Sequence, residues 1–423
     1  MGIADSAPTN RQTQAARQRA LSNCAQLSRI SASENAINRQ YLTDEHRRCN
    51  AQVAAWMAAA GLETWQDAVG NQWGRLASYN PDAPRLILGS HLDTVPNAGA
   101  FDGILGVLLA IEVAAWWRQQ NTPLPFHLDI VGFCDEEGSR FGVTLIGSRA
   151  LCGNFDPQWL SVCDADGISM ADALRQFGLD PGRVAEATLP TNKLLGFWEL
   201  HIEQGPVLEA ENLSVGVVTG IAGARRGYLT LQGQAGHAGT TPMQLRRDAL
   251  CGAAEVIVEI ERLAKSTNGE CVATVGELTA RPGAVNVIAG EARLSLDVRS
   301  LDDAARDQLI AAIESASTEI AGRRQLEVTF QWHHNAAAVA CDPDLMTLLA
   351  EAVQLSELPV THLPSGAGHD AMAMAAICPV AMLFLRSPRG LSHHPDESVV
   401  DVDVDDGFRV LCQAVRLFAQ SND

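Results

Sequence analysis

Most of the acidic and histidine side chains that could bind a metal in this sequence stand where a predicted strand ends. They occur in five segments: GSHLDTV (89–95), FDG (101–103), CDEEG (134–138), ELHIEQG (199–205) and SHHPDE (392–397). Imidazole nitrogens and carboxylate oxygens suit Zn²⁺ and Mn²⁺. Acids clustered at the end of an apolar strand repel one another, and a cation relieves this repulsion. Any one segment could be a structural histidine or a solvated loop, but together they favour a metal site.

The first segment also suggests how one ligand would be oriented. His91 follows the apolar run 86–88, and Asp93 stands two residues later. Metal-bound histidines usually donate their second ring nitrogen to an oxygen acceptor, which fixes the tautomer. We therefore expect Asp93 to hydrogen-bond the ring of His91.

The elements that must position these residues alternate between helix and strand. The patterns predict a helix over 43–60 that Gly61 ends, strands over 73–79 and 85–89, a helix over 103–118 and a buried strand over 126–134. Such alternation is typical of an α/β layer, in which ligands bind at the carboxyl ends of the strands.

The middle of the chain has a different pattern. It predicts, in order, a strand over 228–232, a helix over 250–264, strands over 271–278 and 292–299, a helix over 309–320 and a strand over 326–332. This β-α-β-β-α-β order is ferredoxin-like and forms a compact unit by itself. We therefore expect a catalytic domain formed by 1–217 and 333–423, interrupted by an inserted domain over 218–332.

Composition excludes several classes of function. The chain has 423 residues, 47% of them hydrophobic, and a formal net charge of −19. This charge argues against nucleic-acid and anionic-membrane partners, which require clustered Lys and Arg. No apolar run reaches the roughly 18 residues of a membrane span, and the first 20 residues have no apolar core typical of a signal peptide. Ten scattered cysteines without a CxxC pair indicate reduced thiols, so we expect a cytoplasmic protein.

Seven motifs give the sequence a family resemblance: HLDTV, FDGILG, DEEGSRF, HIEQG, AGHAGTTPM, SGAGHDA and SHHPDE. Their order resembles the M20 metallopeptidase superfamily, and within it the amidase branch of N-carbamoyl-L-amino-acid hydrolases, β-ureidopropionases and allantoate amidohydrolases. The resemblance extends over about residues 85–400. It implies an α/β, di-metal aminopeptidase-like catalytic domain with an inserted ferredoxin-like α+β domain that serves as lid and dimerisation domain of a homodimer.

The resemblance also implies two divalent metal ions per subunit, Zn²⁺ or Mn²⁺, with Co²⁺ or Ni²⁺ as alternatives. It assigns five ligands: Asp102 bridging both ions, Glu137 and His393 completing one site, and His91 and His201 completing the other. Glu136 would be the general base that takes a proton from the metal-bridging water, or else an acid that orients a ligand. His394 stands where relatives often have Asn and is an alternative to His393.

Further residues would contact the substrate. The family parallel makes His237 a donor to the carbonyl oxygen in the transition state. Asn286 and Arg299 would hold the substrate carboxylate, because Arg offers a planar fork of donors; the alternative for Arg299 is a surface ion pair. Gln204 and His369 would contact the ureido group or its surroundings.

The expected reaction is hydrolysis of an N-carbamoyl-L-amino acid to the amino acid, CO₂ and NH₃. Paired metals and an adjacent carboxylate suit it, since a ureido carbonyl is a poor electrophile. Allantoate and β-ureidopropionate are alternative substrates with a similar group. An exopeptidase is disfavoured, because peptidase-like branches tend to have a carboxylate where His201 stands. A binding protein with a relic site is disfavoured because every expected ligand is present.

Overall fold

The structure is a computed structural model that describes residues 7–120 and 122–422. The first six residues of the segment assessed above for a signal peptide, and the outermost ends of the ranges 1–217 and 333–423, lie outside the described residues. None of the helices described here is long and apolar enough to cross a membrane. The ten cysteines all fall within the described ranges, and all are free thiols.

The chain forms two compact units. The first extends to Thr219 and resumes at Cys341, and the second comprises Gly220–Ala340. The second unit therefore continues to residue 340, beyond the expected boundary at 332, because its last long strand continues to Ala336 and a further short strand follows it.

The α-helices are α1 (Asn10–Leu27), α2 (Asp44–Ala59), α3 (Ile104–Gln119), α4 (Ile146–Leu151), α5 (Met170–Phe177), α6 (Val207–Ala210), α7 (Ala249–Lys265), α8 (Asp303–Arg323), α9 (Pro343–Leu355), α10 (Ala371–Met374) and α11 (Asp401–Ser421). Short 3-10 helices occur at Pro157–Ser161, Pro181–Ala187, Thr191–Lys193, Met243–Leu245 and Pro388–Gly390.

The strands are β1 (Glu63–Gln66), β2 (Gln72–Leu76), β3 (Arg85–His91), β4 (His127–Phe133), β5 (Leu194–Ile202), β6 (Val215–Ile221), β7 (Gly223–Gln232), β8 (Gly236–His237), β9 (Cys271–Thr274), β10 (Leu278–Arg281), β11 (Val287–Ile288), β12 (Glu291–Ser300), β13 (Glu327–Ala336), β14 (Val339–Ala340), β15 (His362–Ser365) and β16 (Val380–Leu385).

The first unit is built on one mixed sheet with the order β1-β2-β4-β3-β5-β16-β6, and β15 also pairs with β6. The four central strands β4, β3, β5 and β16 are parallel, whereas β2 and β6 flank them in antiparallel orientation. Parallel strands are buried on both faces, which explains why β4 is buried along its whole length. The carboxyl ends of these four strands therefore meet at one edge of the sheet.

Helices cover this sheet and complete its core. Most of α3 is buried, and it carries apolar side chains on every face, as expected of a helix within a core. The first 40 residues contain none of the recognised motifs, yet α1 contributes Ala16, Ala20, Cys24 and Leu27 to the same hydrophobic core. Small side chains at this spacing allow α1 to pack closely, a contribution that the motif analysis did not identify.

The second unit has the ferredoxin-like element order. Its sheet has the order β10-β12-β7-β13, with β9 also paired to β12, and α7 and α8 share the hydrophobic core of one face. The strand expected over 271–278 is divided into β9 and β10, which pair with opposite halves of β12. The hydroxyl of Ser295 accepts hydrogen bonds from the backbone N–H groups of Gly276 and Glu277. The backbone N–H of Ser295 in turn donates to the carbonyl oxygen of Glu277 at 3.0 Å.

Candidate metal centre

His91 lies at the end of β3, and one of its ring nitrogens, Nδ1, already faces an oxygen acceptor. Its Nδ1 is 3.1 Å from the backbone carbonyl oxygen of Asp93 and 3.5 Å from the Asp93 carboxylate. The expectation that the Asp93 side chain orients the ring is therefore only partly right, because the main-chain carbonyl is the nearer acceptor. A proton on Nδ1 leaves the lone pair of Nε2 available for a metal.

The carboxylate of Asp93 has a different task. It accepts hydrogen bonds from the backbone N–H groups of Glu136 (2.9 Å) and Glu137 (3.1 Å). These residues follow β4, which is parallel to β3 and adjacent to it. Asp93 thus holds in place the turn that presents both acidic side chains.

Asp102 lies at the middle of the cluster, just before α3. One carboxylate oxygen is 3.0 Å from His201 Nε2 and 3.6 Å from His91 Nε2. The other oxygen is 3.2 Å from His393 Nε2. The next residue, Gly103, has φ 71°, and a Cβ there would lie 2.5 Å from the His91 ring. Only glycine allows this close approach without displacing the ligand.

His201, at the end of β5, shows the same division of ring nitrogens as His91. Its Nδ1 lies 2.8 Å from the carbonyl oxygen of Ile202. Its buried Nε2 is 3.0 Å from the Asp102 carboxylate. A buried imidazole nitrogen beside a carboxylate fits a metal ligand well.

His393 and Glu137 lie on the other side of Asp102. His393 Nε2 is 3.3 Å from the Glu137 carboxylate, and the side chain of His393 is 49% exposed. The neighbouring His394 instead accepts a hydrogen bond from the backbone N–H of Asp396 through Nδ1. Of the two histidines, the structure therefore brings His393 to the cluster.

The ligand atoms form two groups that share Asp102. His91, Asp102 and His201 form one, and Asp102, Glu137 and His393 form the other; within each group the atoms lie within 4.8 Å of one another. Nitrogen and oxygen donors in such sets suit borderline divalent ions. The residues thus fit a pair of ions bridged by one carboxylate.

The charged side chains of this cluster shift one another's pKa values. Burial opposes the charged form of His91, but the carboxylates of Asp102 and Asp93 raise its pKa well above the usual value. Hydrogen bonds to Asp102 and Glu137 raise the pKa of His393 to about 10. Burial opposes ionisation of Asp102, yet His201, His393 and His91 hold its pKa well below the usual range. The attraction between these histidines and carboxylates thus favours their charged forms.

Glu136 lies beside both groups. Its carboxylate is within 4.8 Å of ligand atoms of His91 and Glu137. Burial, followed by the charge of Glu137, raises the pKa of Glu136 well above that of an ordinary glutamate. A carboxylate with a raised pKa next to a metal pair is suited to general acid–base work.

Gln204 and His369 border the same cluster. Gln204 Nε2 donates to the second Asp102 oxygen and to Ser392 Oγ, both at 3.1 Å, whereas its buried Oε1 has no hydrogen-bond partner. His369 Nε2 lies 2.8 Å from Ser365 Oγ, and its ring centroid is 4.5 Å from that of His201. Burial, and then the charge of His201, lower the pKa of His369 well below the usual value.

The three remaining expected site residues lie in the second unit. His237 in β8 is exposed, and the Gly239 N–H donates to its Nδ1, so a neutral ring carries its proton on Nε2. A 2.9 Å hydrogen bond from Ala238 N–H to the carbonyl oxygen of Asn286 brings that residue close to His237. Arg299 in β12 forms two 2.8 Å hydrogen bonds to Asp297, so the ion pair considered as its alternative role is present.

Several buried carboxylates near the expected ligands, among them Glu199 and the following three, were given no individual role from the sequence. Asp135 precedes Glu136, Asp370 follows His369, and Glu397 ends the motif SHHPDE. Both side-chain oxygens of Asp135 and of Asp370 are buried without a hydrogen-bond partner, and burial raises the pKa of both groups. Their positions inside the motifs could have marked these carboxylates as candidates from the sequence alone. Only the fold shows that their side chains are buried.

The fold and the site together define a metallohydrolase of the dinuclear type. The chain matches the family described as Peptidase family M20/M25/M40 over residues 87–417. It therefore belongs to this family, and the predicted fold class is confirmed. Members of the family bind two metal ions, and the grouped His, Asp and Glu side chains are the candidate ligands.

Named relatives narrow the class further. The chain is 42% identical to an N-carbamoyl-L-amino acid amidohydrolase of Geobacillus stearothermophilus, over 91% of this chain and 94% of the relative. It is 37% identical to an allantoate deiminase of Arabidopsis thaliana, over 92% and 80%. A crystal structure of a hydantoinase/carbamoylase family amidase from Burkholderia multivorans has a TM-score of 0.89 and 33% identity, over 95% and 98%. The chain is thus an amidohydrolase within the M20 family.

Proposed function

We propose that the chain hydrolyses the carbamoyl C–N bond of N-carbamoyl-L-amino acids, giving the amino acid, CO₂ and NH₃. The observation that carries this proposal is Asp102, whose two oxygens face two separate ligand groups. The similarity to an N-carbamoyl-L-amino acid amidohydrolase over nearly its whole length supports the substrate class.

His91 and His201 would hold one ion, Glu137 and His393 the other, and Asp102 both. The nitrogen and oxygen donors favour Zn²⁺ or Mn²⁺, and Co²⁺ or Ni²⁺ would also be accepted. When bound, such a pair lowers the pKa of a water molecule and polarises the carbonyl oxygen.

Glu136 would accept the proton of the attacking water and deliver it to the leaving nitrogen. Its proximity to both ligand groups supports this role. The hydrogen bonds that the backbone N–H groups of Glu136 and Glu137 donate to the Asp93 carboxylate would keep base and ligand in a fixed relation.

The substrate would be recognised at both ends. The unpaired Oε1 of Gln204 is a suitable acceptor for a ureido NH₂ group, beside His369. His237 Nε2–H would donate to the carbonyl oxygen in the transition state. Asn286 and Arg299 would bind the carboxylate, for which Arg299 would share its donors between the substrate and Asp297.

We further propose a cytoplasmic homodimer formed through the second unit, whose His237 would serve the metal centre of the partner subunit. The exposure of His237 among small residues supports such a role, and the ten free thiols support a reducing compartment.

Allantoate is the second candidate substrate. It also contains a ureido group and a carboxylate, and the identity to the Arabidopsis thaliana allantoate deiminase is only slightly lower. The residues that distinguish the two substrates would be those that contact the group on the α-carbon.

The two-metal proposal is tested by metal content. Chelation should abolish activity, and Mn²⁺, Co²⁺ or Zn²⁺ should restore it. Because Asp102 would bind both ions, Asp102→Ala should lose more metal than His91→Ala. A metal-free Asp102→Ala protein with full activity would refute the proposal.

A further inference from the structure

Glu397 is a buried carboxylate that none of the roles above uses. It is 5% exposed and lies four residues after His393. The donors described for its carboxylate are two backbone N–H groups and one hydroxyl. A buried acid held in this way orients its surroundings, since moving it would leave several polar groups unpaired.

One oxygen of Glu397 fixes the backbone of the bridging aspartate. Oε1 accepts hydrogen bonds from the N–H groups of Phe101 (2.9 Å) and Asp102 (3.1 Å). The loop packs directly on this side chain, because a Cβ at Gly99 would lie 2.4 Å from its Cβ, Cδ and Oε1. The backbone position of Asp102 therefore depends on Glu397.

The other oxygen reaches the loop that contains His393. Oε2 lies 3.1 Å from Ser392 Oγ, which also lies 3.2 Å from the Asp102 carboxylate and accepts from Gln204. Ser392 immediately precedes His393. Glu397 thus connects two loops that are almost 300 residues apart in the sequence and that supply neighbouring ligands.

We propose that Glu397 is a positioning residue that holds Asp102 and His393 in the geometry needed for one metal ion, the one shared with Glu137. This inference rests on the proposed two-metal function. His91 and His201 are oriented by backbone carbonyl groups that do not involve Glu397. Asp102 would serve both ions, but the other two proposed ligands of the second ion are oriented without Glu397, so its loss should weaken the ion shared with Glu137 more than the other.

The test measures metal binding without substrate. Metal-free Glu397→Ala is titrated with Zn²⁺ and with Mn²⁺, and metal content per chain is determined after gel filtration. The Kd of one ion should rise by about 10- to 100-fold, the usual effect of removing a group that orients metal ligands. Glu397→Gln should lose less, because its amide oxygen can still accept from both backbone N–H groups. Glu112→Ala is the matched control, since this equally buried acid pairs with Arg19 instead.

A double variant identifies which of the two ions is weakened by the loss of Glu397. In a Glu137→Ala background, which lacks a ligand of that ion, adding Glu397→Ala should weaken the remaining ion less than Glu397→Ala alone weakens the ion shared with Glu137, because Asp102 alone among the three proposed ligands of the remaining ion contacts Glu397. If Glu397→Ala does not fold, Ser392→Ala replaces it, and the same ion should be weakened to a smaller extent.

The inference would be overturned by a folded Glu397→Ala protein that binds both ions with wild-type affinity, or by equal weakening of both ions. Equal loss in Glu112→Ala would also overturn it, because the effect would then be general. A wild-type chain that binds fewer than two ions would instead refute the two-metal function.

Discussion

Loading the centre with metal should release protons, because the metal-free ligands hold them. His393 has a pKa of about 10 and His91 a pKa well above its usual value, so both rings are protonated at pH 7 without metal. The pKa of His201 is also raised, by Asp102 against the effect of burial. Each ring must lose one proton to bind an ion.

The direction and the size of the pH dependence of metal affinity follow from these pKa shifts. Raised pKa values mean that protons compete with metal more strongly as the pH falls, so affinity should increase from pH 6 to pH 9. Each displaced proton contributes about a tenfold change in Kd per pH unit. Asp102 contributes none, because its lowered pKa leaves it ionised throughout this range.

Isothermal titration calorimetry in two buffers of different ionisation enthalpy measures the released protons directly. At pH 7 we expect about two to three protons per chain on full loading. His393→Ala should release about one fewer, which provides the internal control. Release of less than about one proton, together with a Kd that does not change between pH 6 and pH 9, would refute this account of the cluster.

Three further predictions concern the roles of Glu136, Arg299 and His237. Glu136→Gln should keep both ions but lose kcat by about 10² or more, the scale of a general base; loss of metal with a small change in rate would make Glu136 a ligand. Arg299→Ala should raise KM steeply for substrates with a free carboxylate and hardly affect amidated analogues; equal losses on both would indicate a structural role. Glu136→Gln and His237→Ala should each be nearly inactive, yet co-refolding should recover roughly a quarter of wild-type activity, since about half of the dimers are mixed and each has one intact site. No recovery in verified mixed dimers would exclude action of His237 in the partner.

The residues that the structure groups as the candidate metal centre could be predicted from the sequence because strand ends and motifs coincide. His91 and the acids around Glu136 stand at the ends of two predicted apolar strands, and parallel strands bring such positions together. His201 lies near the end of β5, a strand that was not predicted. The grouping into two sets came only from the family resemblance. The fold adds that the two Asp102 oxygens face different sets.

Other features could not be predicted, because they depend on contacts distant in the sequence. Burial of Glu397 requires the loops at Asp102 and His393 to meet, which no local pattern encodes. Where β9 and β10 divide, Gly276 and Glu277 donate to the hydroxyl of Ser295, a side chain on a neighbouring strand. The orientation of the His91 ring depends on whether a backbone or side-chain oxygen is nearer, and the sequence offers both.

The most direct test of the proposed function is a substrate panel with metal-loaded enzyme. It would compare N-carbamoyl-L-amino acids, N-carbamoyl-β-alanine, allantoate and dipeptides by ammonia and amine release, with Glu136→Gln as the control for contaminating activity. We expect the highest kcat/KM with an N-carbamoyl-L-amino acid, and one NH₃ released per amino acid formed. Cleavage of dipeptides without turnover of any ureido substrate would contradict the account, and a preference for allantoate would replace the proposed substrate with the second candidate.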